Sequence, residues 1–404
     1  MVKKKQNENS FWDFIDKYHN WIYFGLITIL AIIARSIVLK YNSGDYDLFL
    51  EPWFHQLKLY GGLGGLAYNI GNYTPAYMTI LAILTYFPVD PLISIKIVSI
   101  IFDFVGALAI KKIAEELLQN KKYKEKVSLL LYTICLFLPT VFLNSAYWAQ
   151  SDSIYTAFVL LSILYLIRKN YKIAILFFGI AISFKLQAIF IFPLYVLMYI
   201  SERKIKLKYF LIIPFVIFVL SLPKVIYSQD LLAGFKVYIN QAGTYSQYIT
   251  LNFPNIYGIF WGGGSSNLID TPFKELSTVG IIVTFVILIS IAYFVYIKKI
   301  KFDKNAIIEF GLLSILVTTF FLPQMHERYL FMGDVIAILY LVINLKKYYV
   351  PIMIEFISLN GYMYLLFSGF SINFSTLSIA FLVLIILYIR DIIKKYFVGT
   401  NSLE

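Results

Sequence analysis

A chain of 404 residues that is 60% hydrophobic and only 14% charged stands far from soluble domains, which carry about 25% charged residues. In water it would expose large apolar patches, and its apolar residues come in blocks long enough to cross a bilayer. The formal charge of +12 does not point to nucleic acid, because the Lys and Arg residues sit between hydrophobic blocks, where they set orientation and meet anionic headgroups.

The expected fold is all-α: a polytopic membrane protein in which residues 1–404 form one transmembrane domain, with about ten full spans and two broken or re-entrant elements. Residues 1–21 read as a cytoplasmic stub. They hold no small-residue cleavage site, and the apolar block that follows is long enough to remain a helix. Apolar blocks run near 22–40, 91–110, 127–145, 152–168, 209–227, 278–297, 305–322, 328–345, 350–368 and 373–392. Two further stretches are awkward. Residues 72–87 are short for a span and begin Asn72-Tyr73-Thr74-Pro75, and residues 173–200 are interrupted by Ser183, Lys185, Gln187 and Pro193.

Charge decides how the awkward stretches run. The segments 1–21, 111–126, 168–172, 201–208, 298–304, 346–347 and 390–395 hold 26 of the 35 Lys and Arg residues. The positive-inside rule places all seven in the cytoplasm. That works if 72–87 dips in from the outer face as a half-helix and 173–200 rises from the cytoplasm as two short helices that break near Lys185. Both chain ends are then cytoplasmic. The rival reading is ordinary spans with a violated charge rule. Non-helical backbone at membrane depth is tolerated only beside protein or a water-filled cavity, so two broken elements predict a solvated cavity opening outward. The outer face collects a first loop of 40–90 with interfacial helices, then 145–151, a long loop of 224–276, 323–327 and 369–372.

The unusual polar residues fall on that face. In the first loop Asp45 and Asp47 stand just after a membrane helix, followed by a mixed stretch, 48–60, that reads as an amphipathic interfacial helix. A carboxylate beside a low-dielectric medium suits a general base; the other reading is a solvated turn that caps the helix. Asn144 to Ser153 form a second polar patch containing Gln150 and Asp152, and Asp152 reads equally as a helix cap or a cavity residue. Lys185 lies in the middle of an apolar stretch, where a charge costs at least about 2.5–3.5 kcal/mol and needs a partner or water. An internal pair with Asp103 would meet that need structurally, while Arg35 and Lys96 are weaker candidates because they lie near helix ends. His326, Glu327 and Arg328 follow one another at an outer helix junction, suited to a phosphate or to anchoring the helix end. The long loop adds aromatic rings and amides, among them Tyr238, Gln241, Tyr245, Asn252, Asn255, Tyr257 and Trp261, which suit sugar faces and hydroxyls or an interfacial belt. The one cysteine, Cys135, sits inside an apolar block. No disulfide, metal spacing or nucleotide fingerprint is legible, so no metal or cofactor is expected.

Taken in order, SGDYDLFLEPW, NYTPAY, YWAQSDSIYTAF, SFKLQAIFIFP, NQAGTYSQYITLNFPNIYGIF and MHERYLF resemble the GT-C superfamily of membrane glycosyltransferases, in particular bacterial relatives of the GPI-anchor mannosyltransferases. The resemblance implies a sugar donor on a polyprenyl phosphate, transfer at the outer face of the plasma membrane, and a glycan or glycolipid acceptor. It implies Asp45 as the base, with Asp47 as second choice. It places Lys185 on the donor phosphate, joined by His326 and Arg328. Candidates for holding the substrates are Asp47, Tyr73, Gln150, Asp152, Gln187, Tyr245, Asn252, Asn255 and Glu327. The expected reaction is an inverting hexosyl transfer without metal. The alternative is a transporter or flippase of lipid-linked saccharides, since broken helices and buried charges suit transporters too; no internal repeat supports it.

Overall fold

The computed structural model describes residues 2–244, 247–262, 266–267, 273–367 and 372–398. They are overwhelmingly helical. Six helices among them are long and apolar enough to cross a membrane: Lys17–Val38, Pro91–Leu117, Glu275–Ile297, Lys304–Phe321, Leu345–Leu366 and Phe374–Phe397. Two bent pairs raise the number to eight, Lys124–Phe137 with Pro139–Tyr147 at 50° and Leu207–Leu220 with Leu222–Ser228 at 51°. By length and composition, the described residues thus hold six to eight candidate spans and do not confirm the ten full spans expected from hydropathy. Block 152–168 becomes the 16-residue helix Asp152–Ile167, shorter than the roughly 20 residues a span requires. Block 328–345 breaks into Phe331–Ala337 and Tyr340–Ile343. Hydropathy counts apolar residues but does not see such breaks. At Pro139 the cause is local: proline disfavours the α region for the residue before it, and Leu138 is extended at φ −60°, ψ 125°.

The helices differ in what surrounds them. Lys304–Phe321 is the central helix, 83% buried, whereas only 11% of Lys17–Val38 is covered by protein, leaving an apolar surface suited to lipid. The main core joins the Pro91–Leu117, Lys124–Phe137, Asp152–Ile167, Tyr171–Phe184 and Lys304–Phe321 helices; a smaller one lies under residues 46–82.

Both awkward stretches are broken. Pro75–Leu84 has 10 residues, about 15 Å of helix. In the second, the helix Tyr171–Phe184 stops at Lys185, whose backbone is extended (φ −157°, ψ 132°). A 3-10 stretch, Leu186–Ile191, then leads into the helix Phe192–Glu202. The two helices pack together, with Phe178 stacked on Tyr195, and their far ends reach one cluster, where Arg168 and Lys304 meet Glu116 and the Phe302 amide donates to Glu202. This hairpin brings both of its ends to one end of the bundle. The tips of the two broken elements meet where Thr74 Oγ1 donates to the Phe184 carbonyl at 2.8 Å, satisfying a helix-terminal acceptor.

The basic segments converge physically. Arg168 and Lys304 both reach Glu116. The Phe302 amide donates to Glu202 at 2.9 Å, Lys395 pairs with Glu309, and Lys347 pairs with Asp391 at 2.7 Å. At the other end, Ser43 donates to the Trp148 carbonyl, Tyr73 donates to Gln150, and the Gln324 amide donates to the Ile249 carbonyl. There, Tyr248–Leu251 pairs antiparallel with Ser266–Asn267 and parallel with Met325–His326, Leu251 opposite His326. This small sheet is what fixes the 325–328 turn.

Candidate active site

Asp45 is placed by contacts on both sides of it. Lys96 is buried and donates to the carbonyls of Val38 at 3.1 Å and Tyr41 at 2.7 Å, satisfying helix-end acceptors. Tyr41 stacks on Tyr147 with centroids 3.6 Å apart. From this anchor the chain turns into a π-helical stretch, Tyr46–Leu50. A second π-helical stretch, Leu143–Tyr147, precedes Trp148, and Ala149 takes a left-handed φ of 68° that redirects the chain toward Gln150. Such local departures from α-geometry are frequent at functional sites. Together they bring Trp148 Nε1 to Asp45 Oδ2 at 3.1 Å and Gln150 Nε2 to the same oxygen at 3.0 Å.

Arg328 joins three carboxylates. Its guanidinium lies 3.2 Å from Glu327, 3.5 Å from Asp45 and 3.8 Å from Asp152, and it sits 5.3 Å above the Trp148 ring, a cation–π distance. Asp152 is fully buried. Its Oδ2 accepts from Asn144 at 2.9 Å, and its Oδ1 is paired with Lys185. Lys185 also lies 5.7 Å from the Tyr73 ring centre and 5.9 Å from that of Tyr155. The result is a continuous line of charge, Asp45, Arg328, Asp152, Lys185. Burial pushes the Glu327 carboxyl up, but the neighbouring His326 ring, 3.8 Å away, and the Arg328 guanidinium outweigh it and hold the carboxyl below the ordinary glutamate range.

Two cavities flank this line. One, of about 200 Å³, is lined by Lys185, Gln187 and Arg328 with Phe184, Leu186, Ile189 and Phe190. The other, of about 220 Å³, is lined by Asp45, Gln150, His326, Glu327 and Arg328 with Phe49, Trp53 and Asn252. Asn72, Tyr73 and Arg328 belong to both walls, so the cavities are neighbouring chambers. Each has several times the ~30 Å³ share of one water in the liquid.

Several expectations change. The structural partner proposed for Lys185, Asp103, is instead paired with Arg35 at 2.9 Å, and Arg35 is buried to 1% exposure although it lies near a helix end. Neither Asp45 nor Asp152 caps a helix through its side chain. Asp47 lines neither cavity; it is exposed and accepts from Asn42 at 2.6 Å, because residues two apart on a helical turn point about 200° apart. Asn255 also lies outside both walls: its side chain caps the helix Ile256–Trp261 through the amides of Tyr257 and Gly258. Tyr245 lies outside the described residues. Trp148, Asn144 and Asn72 were not singled out from the sequence. The first two sit in the polar patch that contains Gln150 and Asp152, and Asn72 sits beside Tyr73, so proximity to a chosen residue was the available signal.

Fold and site together define a polytopic helical membrane protein with a charged, two-chambered site at one end of its bundle. Residues 72–323 match glycosyltransferase family 87, and the chain belongs to that family. It is similar to GPI mannosyltransferase 1 of Dictyostelium discoideum, 27% identical over 210 residues, 49% of this chain and 45% of that protein. It is also similar to GPI mannosyltransferase 1 of Saccharomyces cerevisiae, 25% identical over 190 residues, 44% of each. The matched stretch thus spans under half the length of either relative. The kinship with GT-C glycosyltransferases related to GPI mannosyltransferases, read from the motifs, is borne out. The family match takes in Tyr73, Gln150, Asp152 and Lys185 and leaves out Asp45, His326 and Arg328.

Proposed function

We propose that this protein transfers a hexose from a polyprenyl-phosphate donor to a glycan or glycolipid acceptor, with inversion, at the outer face of a plasma membrane, both chain ends lying in the cytoplasm. The observation that carries the reading is the pair of chambers with Arg328 and Tyr73 in their common wall. The Lys185 chamber suits the donor's head. It joins two cations to an apolar wall, and Ile189 in that wall is 44% exposed, which suits the first carbons of an apolar chain. Gln187 Oε1 is buried in this region with no hydrogen-bond partner among the described residues, an acceptor suited to a ligand hydroxyl. The Asp45 chamber, with Trp53 and Asn252, suits the sugar and acceptor.

In this mechanism the acceptor oxygen attacks the anomeric carbon while Asp45 takes its proton, and the C–O bond to the phosphate breaks. Trp148 and Gln150 hold Asp45 Oδ2 and so orient the carboxylate. The departing polyprenyl phosphate is a stable anion and needs positive charge more than a proton; Lys185 and Arg328 supply it in a site shielded from bulk water. Asp152 and Glu327 keep those cations charged and aimed until the phosphate arrives. No step requires a metal.

Incubating the purified chain with a radiolabelled polyprenyl-phosphate hexose and candidate acceptors tests the reading. Labelled product should form. A flippase would move donor across a vesicle wall and form none, and that result would replace this reading. Lys185→Met should raise the donor KM by about tenfold or more, the value of a lost charge-assisted hydrogen bond. An unchanged donor KM would remove Lys185 from the phosphate.

A further inference from the structure

The end of the bundle remote from the chambers carries a second opening. A groove of about 580 Å³ lies between the turn after Phe192–Glu202 and the turn after Phe273–Ile297, lined by Arg203, Lys204, Lys299 and Lys301 with Tyr296 and Ile297. The 11 residues of Phe192–Glu202 separate it from the Lys185 chamber, about 16 Å along the helix.

Its charge is poorly compensated. The acid in the wall, Glu202, is already engaged by Lys204 at 2.6 Å and by the Phe302 amide at 2.9 Å. Among the described residues Arg203, Lys299 and Lys301 form no ion pair within 4.0 Å. Cations at helix C-termini complement the helix dipole, and this accounts for part of the cluster. It does not account for Lys301, which precedes the N-terminus of Lys304–Phe321, where the dipole disfavours a cation. Nor does it account for the backbone. Arg203 and Lys299 hold left-handed φ values of 52° and 50°, a conformation for which glycine or asparagine is the usual choice. Long cationic side chains stand there instead, both exposed to the groove. Beside them Tyr296 and Ile297 are 59% and 53% exposed, at the end of a candidate span, the depth at which tyrosine rings meet headgroups. Three uncompensated cations over an apolar ledge match a phosphodiester joined to acyl chains.

We propose that this groove binds the headgroup of an anionic phospholipid, with Arg203, Lys299 and Lys301 on the phosphate and Tyr296 and Ile297 along the first acyl carbons. The site is separate from the chambers and stands whether or not the transfer reaction does.

The test uses the full chain in a neutral detergent loaded with equal phosphatidylglycerol and phosphatidylcholine. Lipid retained after detergent exchange is counted by mass spectrometry. Wild type should retain phosphatidylglycerol selectively, and Lys299→Ala, Lys301→Ala and Arg203→Ala should each lower that retention about fivefold, from ~1 kcal/mol per cation near a membrane surface. Lys299→Arg and Lys301→Arg should keep it, which separates loss of charge from loss of fold. Lys121→Ala with Lys122→Ala, exposed cations on another loop, should also keep it. Equal loss in that control, undiminished retention in the groove variants, or displacement of the lipid by inorganic phosphate would each overturn the proposal.

Discussion

Around Asp103 every charge is answered. Arg35 Nε lies 2.9 Å from one carboxylate oxygen, Ser145 donates to the same oxygen and Ser153 to the other, and a second Arg35 nitrogen reaches the Leu136 carbonyl at 2.9 Å. One acid meets one base, and the adjoining void is only about 10 Å³. Around Asp152 the arrangement is open. Asp45, Asp152 and Glu327 share Arg328 and Lys185 at distances out to 3.8 Å, beside chambers of about 200 and 220 Å³. Both clusters hold charge within an apolar helix bundle, which marks a functional candidate by default. The comparison teaches that burial alone does not tell the two clusters apart. Stoichiometry of charge and adjoining free volume do.

Two substitutions break the comparison if it is wrong. Asp45→Asn removes the proposed base but keeps an oxygen for Trp148 and Gln150. Turnover should fall about 10²–10⁴-fold, the range for general-base catalysis. The melting temperature should hardly move, because the Asp45 side chain is 28% exposed and its ion pair with Arg328 is long, at 3.5 Å. Asp103→Ala should do the reverse. It strands a buried guanidinium and two hydroxyls, so stability should fall by about 3–5 kcal/mol, while turnover per folded molecule is retained. Denaturation followed by tryptophan fluorescence, with activity normalised to monodisperse protein, reads both. Full activity in Asp45→Asn, or silent folded Asp103→Ala, would exchange the roles of the two clusters.

The same contrast explains what the sequence made legible. The helical membrane class followed from apolar blocks, because a bilayer admits little else. The break at Lys185 was legible because seven basic segments had to share one side, and a hairpin at 173–200 was the way to let them. Charge is a long-range constraint that a single sequence carries openly. Span number was not legible in the same way: the bends at Leu138 and Ser221 and the 16-residue helix from Asp152 are matters of local backbone inside blocks of uniform hydropathy. Partner choice was least legible. Arg35 and Lys185 are both single cations in apolar surroundings, and Asp103 was as plausible a partner for Lys185 as Asp152. Which acid meets which base depends on how the Pro91–Leu117 helix packs between its neighbours, and residue spacing does not encode that.

The smallest expected effect sharpens the comparison most closely. Asp45 and Asp47 are chemically identical, two residues apart in one loop, and sequence left the choice of base between them. In the fold they point apart: Asp45 into the chamber beside Arg328, Asp47 outward, where it accepts from Asn42 at 2.6 Å. Asp47→Asn at this exposed position should change stability by no more than about 0.5 kcal/mol. It should leave kcat and donor KM within about twofold of wild type, since it removes no group from either chamber wall. Measuring Asp47→Asn beside Asp45→Asn under one set of donor and acceptor concentrations makes the outcome a ratio, insensitive to how much of the preparation is active. A large drop for Asp47→Asn with little for Asp45→Asn would mean that the loop rotates when substrate binds, and would move the base from the first carboxylate to the second.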